Sequence, residues 1–445
     1  MQANRLWSLW QVLLLACACS FTRPGQKRFV EWVTGIVLNV EEHTITQSLI
    51  ALGCPDDWAA LESFAEYGAW DLPALQADLA RLVAREQPAR WYGYHVSAGD
   101  DTKVHRNSPG VWGTCTFHEY TARCPNRAST VRAHNWVVLG RLLPQQDQPA
   151  CFLPLAGDLY FRKSQLPAAQ GGDGAKVPFR TKCQLLVQLA GQQAQAVPGK
   201  HLTVFDGAYA VRTVVRPLAR PEEPGQPVIE VVTRLRHDAR LFAVAPAERS
   251  KGQRGPTPRW GRPLPPPRQG GRWPGGWQTG EAFLYGRRRQ VRWKEVICLW
   301  WVMGWQKPVK AVVAEVEGYQ ERFTLVSIAT ELTGLQIVEL FCARFRQEDG
   351  FRDLKQRLGW EECRAWTRLP IERTTQVLLT ALTLLRLVQF RLQAEQGDGW
   401  WFHPPWNKGK SRPSVLDLGR LFRAHGREIG QLLSAWLADT DKAAG

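Results

Sequence analysis

Two aspartates and a glutamate, Asp101, Asp206 and Glu348, stand far apart in the chain, and the glutamate shares a helical stripe with Phe341, Arg344 and Lys355. At about 100° per residue, Arg344, Glu348 and Lys355 fall at roughly 300°, 340° and 320° from Phe341, a face about 60° wide. The rival acids Asp349 and Asp353 project at roughly 80° and 120°, off that stripe. Leu340, Phe351, Leu354 and Leu358 form an adjacent apolar band that seats the helix on a core. Carboxylate oxygens are hard donors suited to Mg2+ or Mn2+, and a pair of such ions activates an attacking oxygen and stabilises a leaving one at a phosphodiester. Three separated acids beside a basic helix face therefore suggest metal-dependent cutting and joining of nucleic acid. Each residue also has a plainer role open to it. Asp-Gly at 206–207 is a common way to end a strand. Asp100 is the alternative to Asp101. Charges at helical spacing often form a solvated face.

The acids need elements to carry them. Trp91, Tyr92, Tyr94 and Val96 read as a strand ending near Asp100 and Asp101, with further strands expected over 113–122, 135–142 and 152–161. A helix over 182–195 and a short buried strand over 201–205, ending at Asp206, complete a mixed α/β arrangement. Residues 1–90 read as a helical N-terminal region that could bind DNA or serve only for packing. Asp57 and Asp71 are candidate N-caps there, with Pro73 in a first turn. Residues 91–212 form the first part of a core, 213–332 a strand-rich insertion, 333–395 a helical second part, and 396–445 a basic helical tail. Within the insertion, 249–277 carries seven Lys or Arg and no acid among clustered Pro and Gly, so it is expected to be a solvent-exposed basic loop. Gly261-Arg262-Pro263 in it is faintly similar to a minor-groove hook.

Composition narrows the partner. Fifty-seven Lys and Arg against 41 Asp and Glu give a formal charge of +16 over 445 residues, which favours a polyanion, nucleic acid before membrane. The ten cysteines show no pairing pattern and read as reduced thiols in a cytoplasmic protein. Cys115, His118, Cys124 and His134 match no standard zinc spacing, and His134 reads as a structural histidine. The first twenty residues are similar to a short secretory signal, but Trp7, Trp10 and Gln11 favour a packed helix. No apolar run reaches the ~20 residues that span a bilayer; the helix expected over 374–392 comes closest, but Arg373, Arg386 and Arg391 are expected to mark it as soluble.

The blocks around these residues resemble a known group. Phe341-x2-Arg344-x3-Glu348-x6-Lys355 resembles the Tyr-Arg-Glu-Lys signature of DDE transposases of bacterial insertion sequences, related to the transposase of transposon five. Asp101-Thr102 is similar to the segment carrying the first catalytic aspartate of that group, and Asp206-Gly207-Ala208-Tyr209 to the segment carrying the second. His134-Asn135-Trp136-Val137, Arg234-Leu235-Arg236 and Phe351-Arg352-Asp353-Leu354-Lys355-Gln356 follow in the same order, and the resemblance runs from about Phe21 to about Leu392. It implies a ribonuclease-H-like catalytic core interrupted by a strand-rich insertion. It also implies two Mg2+ (or Mn2+) ions held by Asp101, Asp206 and Glu348. Water would cut the phosphodiester at an element end, and the freed 3′ hydroxyl would attack target DNA. Phe341, Arg344 and Lys355 would contact the DNA. Double-stranded DNA, a homodimer on paired ends, no membrane and a bacterial cytoplasmic location follow from the same resemblance. The chain departs from the group at Phe341, where Tyr is usual, and at Asp349-Gly350, usually apolar. Those departures leave open a decayed, DNA-binding descendant that no longer cuts.

Overall fold

The computed structural model describes residues 2–118, 130–166, 177–222, 225–245 and 257–442. Five helices come first: α1 (Ala3–Cys17), α2 (Arg23–Leu38), α3 (Ile45–Leu52), α4 (Trp58–Tyr67) and α5 (Leu72–Glu86). α5 begins as its sequence dictates, with the Asp71 carboxylate accepting from the Ala74 N–H at 2.9 Å and Pro73 in the first turn. Such a cap stabilises a helix by about 1 kcal/mol. Asp57 does not cap α4; it lies 3.3 Å from the Arg28 guanidinium instead. α1 buries Leu6, Trp10, Leu13 and Leu14, and Trp10 meets Phe422 edge-on at 5.0 Å. Among the described residues it is a core helix.

Next come β1 (His95–His105), β2 (Cys115–His118), β3 (Thr130–Gln145), β4 (Gln148–Tyr160), α6 (Lys182–Ala196), β5 (His201–Phe205), α7 (Arg212–Ala219), β6 (Ile229–Arg234) and β7 (Leu241–Phe242). The chain continues through β8 (Gln278–Leu284), β9 (Arg287–Trp300), β10 (Val309–Val316) and β11 (Phe323–Ser327). It closes with α8 (Gly334–Ala343), α9 (Arg346–Arg357), α10 (Arg368–Gln396), α11 (Val415–Ala424) and α12 (Gly426–Lys442).

The described strands join one sheet in the order β2-β3-β1-β5-β6-β11-β10-β9-β7, with β4 pairing β3 on the edge opposite β1, beyond β2, and β8 pairing β9. β1, β5 and β6 are parallel neighbours, and the other pairings are antiparallel. The strands of the expected insertion, β6 to β11, thus extend the core sheet through the parallel β5–β6 pairing.

Period-two alternation assigns each strand face to a layer. Val96, Ala98, Leu202 and Val204 face the layer of the N- and C-terminal helices. Gly99 and Phe205 face α6 and α7, and a Cβ on Gly99 would sit 2.2 Å from Leu186 of α6. The sheet is therefore covered on both faces, as a parallel centre requires.

α10 lies at the middle of the first layer. By length and composition it could cross a membrane, more than the sequence reading allowed, but most of it is buried against other elements. Gln376 donates to the Leu155 carbonyl at 3.0 Å and Thr383 to the Pro154 carbonyl at 2.6 Å, tying α10 to β4.

The expected basic loop is only partly described, since 249–256 falls outside the described residues. In the remainder the arginines 259, 262, 268 and 272 are exposed, while a few residues anchor the segment on the sheet. Trp273 is buried and donates to the Pro265 carbonyl at 2.8 Å, and Lys294 donates to the Gly271 and Trp273 carbonyls. Burial of the Trp273 ring fixes the segment locally while its basic side chains stay at the surface. Within it, 261–264 hydrogen-bonds to 241–243 as an irregular edge.

Candidate active site

The parallel β1–β5 ladder fixes where the acids go. Its last registered pair is Gly99 with Phe205, so Asp100 and Asp206 come next on neighbouring strands and share the face toward α8, α9 and α10. β1 does not end at the acids; it runs on past Asp101 to His105 and carries both aspartates in mid-strand. Asp206 is still extended (φ −72°, ψ 162°) before the tight turn 207–209. Gly207 permits that turn because a Cβ there would approach the Arg234 carbonyl at 3.3 Å.

Asp101 faces the other way. Its carboxylate accepts from Lys182 Nζ at 2.6 Å and from the Tyr209 hydroxyl at 2.9 Å, on the α6 side of the sheet. The expectation that Asp101 meets Asp206 and Glu348 is corrected. Adjacent strand residues project to opposite faces, and the register selects Asp100. Lys182 received no role from the sequence, because nothing local marks the first residue of a helix as the partner of a strand acid eighty positions earlier.

Asp100 is largely buried. Arg344 donates to its Oδ2 at 2.8 Å, and the Asp101 N–H donates to its Oδ1 at 2.8 Å. Burial nonetheless pushes its carboxyl up to about 6, and the negative charges of Asp101 and Asp206 push the same way. No hydrogen bond or ion pair holds the Asp206 or Glu348 carboxylate among the described residues.

The helical stripe bends before it reaches the glutamate. α8 stops at Ala343 and α9 starts at Arg346, joined by three-residue-spaced bonds from Arg344, Phe345, Gln347 and Glu348 back to Phe341, Cys342, Arg344 and Phe345. Tighter winding adds about 20° per residue, so Phe341 and Glu348 leave the common stripe. Phe341 is buried, 6.5 Å from the Phe323 ring, and its expected DNA contact is corrected on that ground.

Gln347 is fully buried and donates to the carbonyl of Val138, the strand neighbour of Asp100, at 3.0 Å. Lys355 Nζ reaches the Lys103 carbonyl at 2.5 Å. α9 therefore lies along β1 with Glu348 exposed on its first turn, beside the Asp100 level of the sheet. Asp349 is bound to Arg346 and Arg352, and Asp353 to Arg386, both away from Asp100. Gly350 has a packing reason: a Cβ there would sit 2.6 Å from the Phe152 ring, so glycine lets α9 approach β4.

His134 has no exposure; its Nδ1 accepts from Arg106, its Nε2–H donates to the Trp112 carbonyl at 2.7 Å, and burial lowers its pKa to about 3. It is a neutral structural group. Cys124, the third member of the zinc alternative, lies outside the described residues.

A sequence profile described as DDE superfamily endonuclease matches residues 17–297. The chain belongs to that family. The match contains Asp100, Asp101 and Asp206 and ends before α8 and α9. A search of characterised proteins finds no match to the chain. The family makes the chain a transposase-like nuclease, with DNA as the implied substrate, and the mixed sheet is compatible with a ribonuclease-H-like fold.

Enzymes of this family typically use divalent metals. The donor chemistry of Asp100 and Asp206 fits such an ion: two hard oxygen donors are adjacent on one face, and one of them is desolvated beside a like charge. Glu348 does not complete the set in this arrangement. Among the described residues no three acidic, histidine or cysteine groups converge in metal-holding geometry.

Proposed function

We propose that this DDE endonuclease is the transposase of a bacterial insertion sequence, hydrolysing DNA at the element ends and joining the freed 3′ hydroxyl to target DNA. The observation that carries the reading is the in-register apposition of Asp100 and Asp206 on parallel strands, overhung by the α8–α9 bend bearing Glu348. Asp100 and Asp206 would hold magnesium or manganese, with Glu348 as the third acid. An ion bound there supplies Lewis acidity to the attacking and leaving oxygens. The chain's own residues do the rest. Arg344 neutralises Asp100 and presents its remaining N–H groups toward the DNA strand, a task suited to a planar fixed charge. Lys355, anchored on β1, adds positive charge along α9.

The test is cleavage of DNA carrying the element's terminal repeats by the purified full chain. Cutting is expected with Mg2+ or Mn2+ and not in chelator. Glu348→Gln should abolish cutting while retaining DNA binding; equal cutting by variant and parent removes Glu348 from the site.

A second reading is a DNA-binding descendant that no longer cuts. The Arg344–Asp100 ion pair and the separate position of Glu348 favour it. Metal-dependent strand cleavage would eliminate it.

A further inference from the structure

A second surface lies away from the acids, at the far end of β9. Trp301 there is 51% exposed and Trp305 42% exposed, an unusual outlay of tryptophan on a surface. The Trp301 ring stands 5.3 Å from Trp260, inclined by 31°, and Trp260 stands 4.9 Å from Phe242. These rings form a ledge, not isolated exposed side chains.

Arginines frame it. Arg259 lies over the Trp305 ring at 5.0 Å. The Arg240 carbonyl accepts from the Trp301 N–H at 3.1 Å, and the Arg262 carbonyl accepts from Ala243 next to Phe242. Arg240, Arg259 and Arg262 are exposed and have no carboxylate at ion-pair distance among the described residues. The nearby acids are engaged elsewhere, Asp238 with Arg236 at 3.2 Å and Glu230 with Lys307 at 3.2 Å. The ledge rests on a firm base, since Arg216 donates to the Val302 carbonyl at 2.8 Å and the neighbouring Trp300 is buried.

Strand geometry separates this ledge from the acids. Glu230, beside Lys307, is registered with Leu202, four residues before Asp206, and β9 lies beyond β6, β11 and β10. By strand rise and spacing the separation is on the order of 20 Å. The ledge is therefore outside the cutting site.

Flat exposed rings interleaved with unpaired guanidinium groups match one ligand chemistry: bases with free faces on a phosphate backbone. Paired bases in a duplex hide those faces. We propose that this ledge binds a single-stranded segment of DNA, with a base stacked on the exposed Trp301, backed by the half-buried Trp260, and phosphates held by Arg240, Arg259 and Arg262. The inference does not depend on the acids and stands whether or not the chain cuts.

The experiment measures binding of the full chain, in chelator, to a fluorescent twelve-nucleotide oligothymidylate and to a blunt duplex. The parent should bind the single strand, Trp301→Ala should weaken that binding at least about fivefold, the scale of one lost stacking partner, and Trp301→Phe should restore most of it. Duplex affinity should stay within about twofold in both variants. The proposal is overturned if Trp301→Ala leaves oligothymidylate affinity unchanged, or weakens duplex binding equally. It is also overturned if light scattering shows the parent as a dimer that Trp301→Ala dissociates, since the ledge would then be an interface between copies. Because Trp301 is half exposed, loss of folding is not expected, and Trp301→Phe controls for it.

Discussion

At the scale of single residues, the consecutive acids Asp100 and Asp101 divide their work by strand parity. Asp100 shares a face with Asp206, whereas Asp101 anchors Lys182 at the start of α6 and the Tyr209 hydroxyl three residues past Asp206. The two neutralising substitutions should therefore differ. Asp100→Asn is expected to lower metal-dependent cutting at least about a hundredfold, the scale of one preorganised electrostatic group, and to weaken Mn2+ binding measured by titration calorimetry. Asp101→Asn should cost about tenfold, as for an outer-shell partner, because it disturbs Asp206 only through the 207–209 turn. Equal losses in the two variants would contradict the assignment. The sequence carried both acids and their spacing from Asp206, but not this choice. It depends on which residue of β5 stands opposite β1, a pairing across about a hundred positions that no local pattern encodes.

At the scale of elements, the helical periodicity of 334–357 was legible, and Leu340, Phe351, Leu354 and Leu358 are buried as their spacing requires. The bend at Arg344–Phe345 was not. Both residues keep right-handed helical backbone angles, so the interruption comes from anchoring on two sides, Arg344 on Asp100 and Gln347 on Val138. Gly350 was legible only as an expense to the helix of roughly 1 kcal/mol. Its contact with Phe152 shows why the expense is accepted. Gly350→Ala should gain helix propensity yet lose more to overpacking, a net destabilisation of about 1–2 kcal/mol in denaturant melts. Combining it with Phe152→Leu should recover part of that loss, and independent, additive effects would mean the close approach does not govern the position.

α2 supplies a pH-dependent element. Glu31 is 1% exposed, paired with Arg28 at 2.7 Å, yet burial outweighs the arginine and raises its carboxyl to about 7. The folded state thus binds a proton between about pH 4.5 and 7 that the unfolded chain releases. The stability Glu31 contributes is full below about 4.5 and is lost as pH rises through 7. Glu31→Gln should flatten that decline and raise stability at pH 8 by about 1–3 kcal/mol, less whatever the Arg28 pair contributes. A parent and variant with parallel melting curves from pH 5 to 8 would show that Glu31 is charged throughout.

At the scale of the whole molecule, charge and topology act together. The net +16 was plain from composition, but its placement was not, because it depends on which arginines lack acidic partners after folding. Many are consumed internally: Arg106 and Arg373 cap carbonyls in the core, and Arg386 is paired with Asp353. Among the described residues Arg240, Arg259 and Arg262 have no acidic partner and stand at the β9 ledge, while Arg344, paired with Asp100, and Lys355, 3.9 Å from Glu361, line the α9 side. A chain that binds DNA through such distributed charge must displace counterions in proportion to the phosphates it neutralises. Duplex affinity measured between 50 and 200 mM salt should fall with a slope of about −4 or steeper in log–log form, corresponding to about four or more phosphates. Lys355→Ala should make that slope shallower by about one without changing it for the single strand. If the slope is near zero, the excess charge is structural and DNA is not the polyanion it serves.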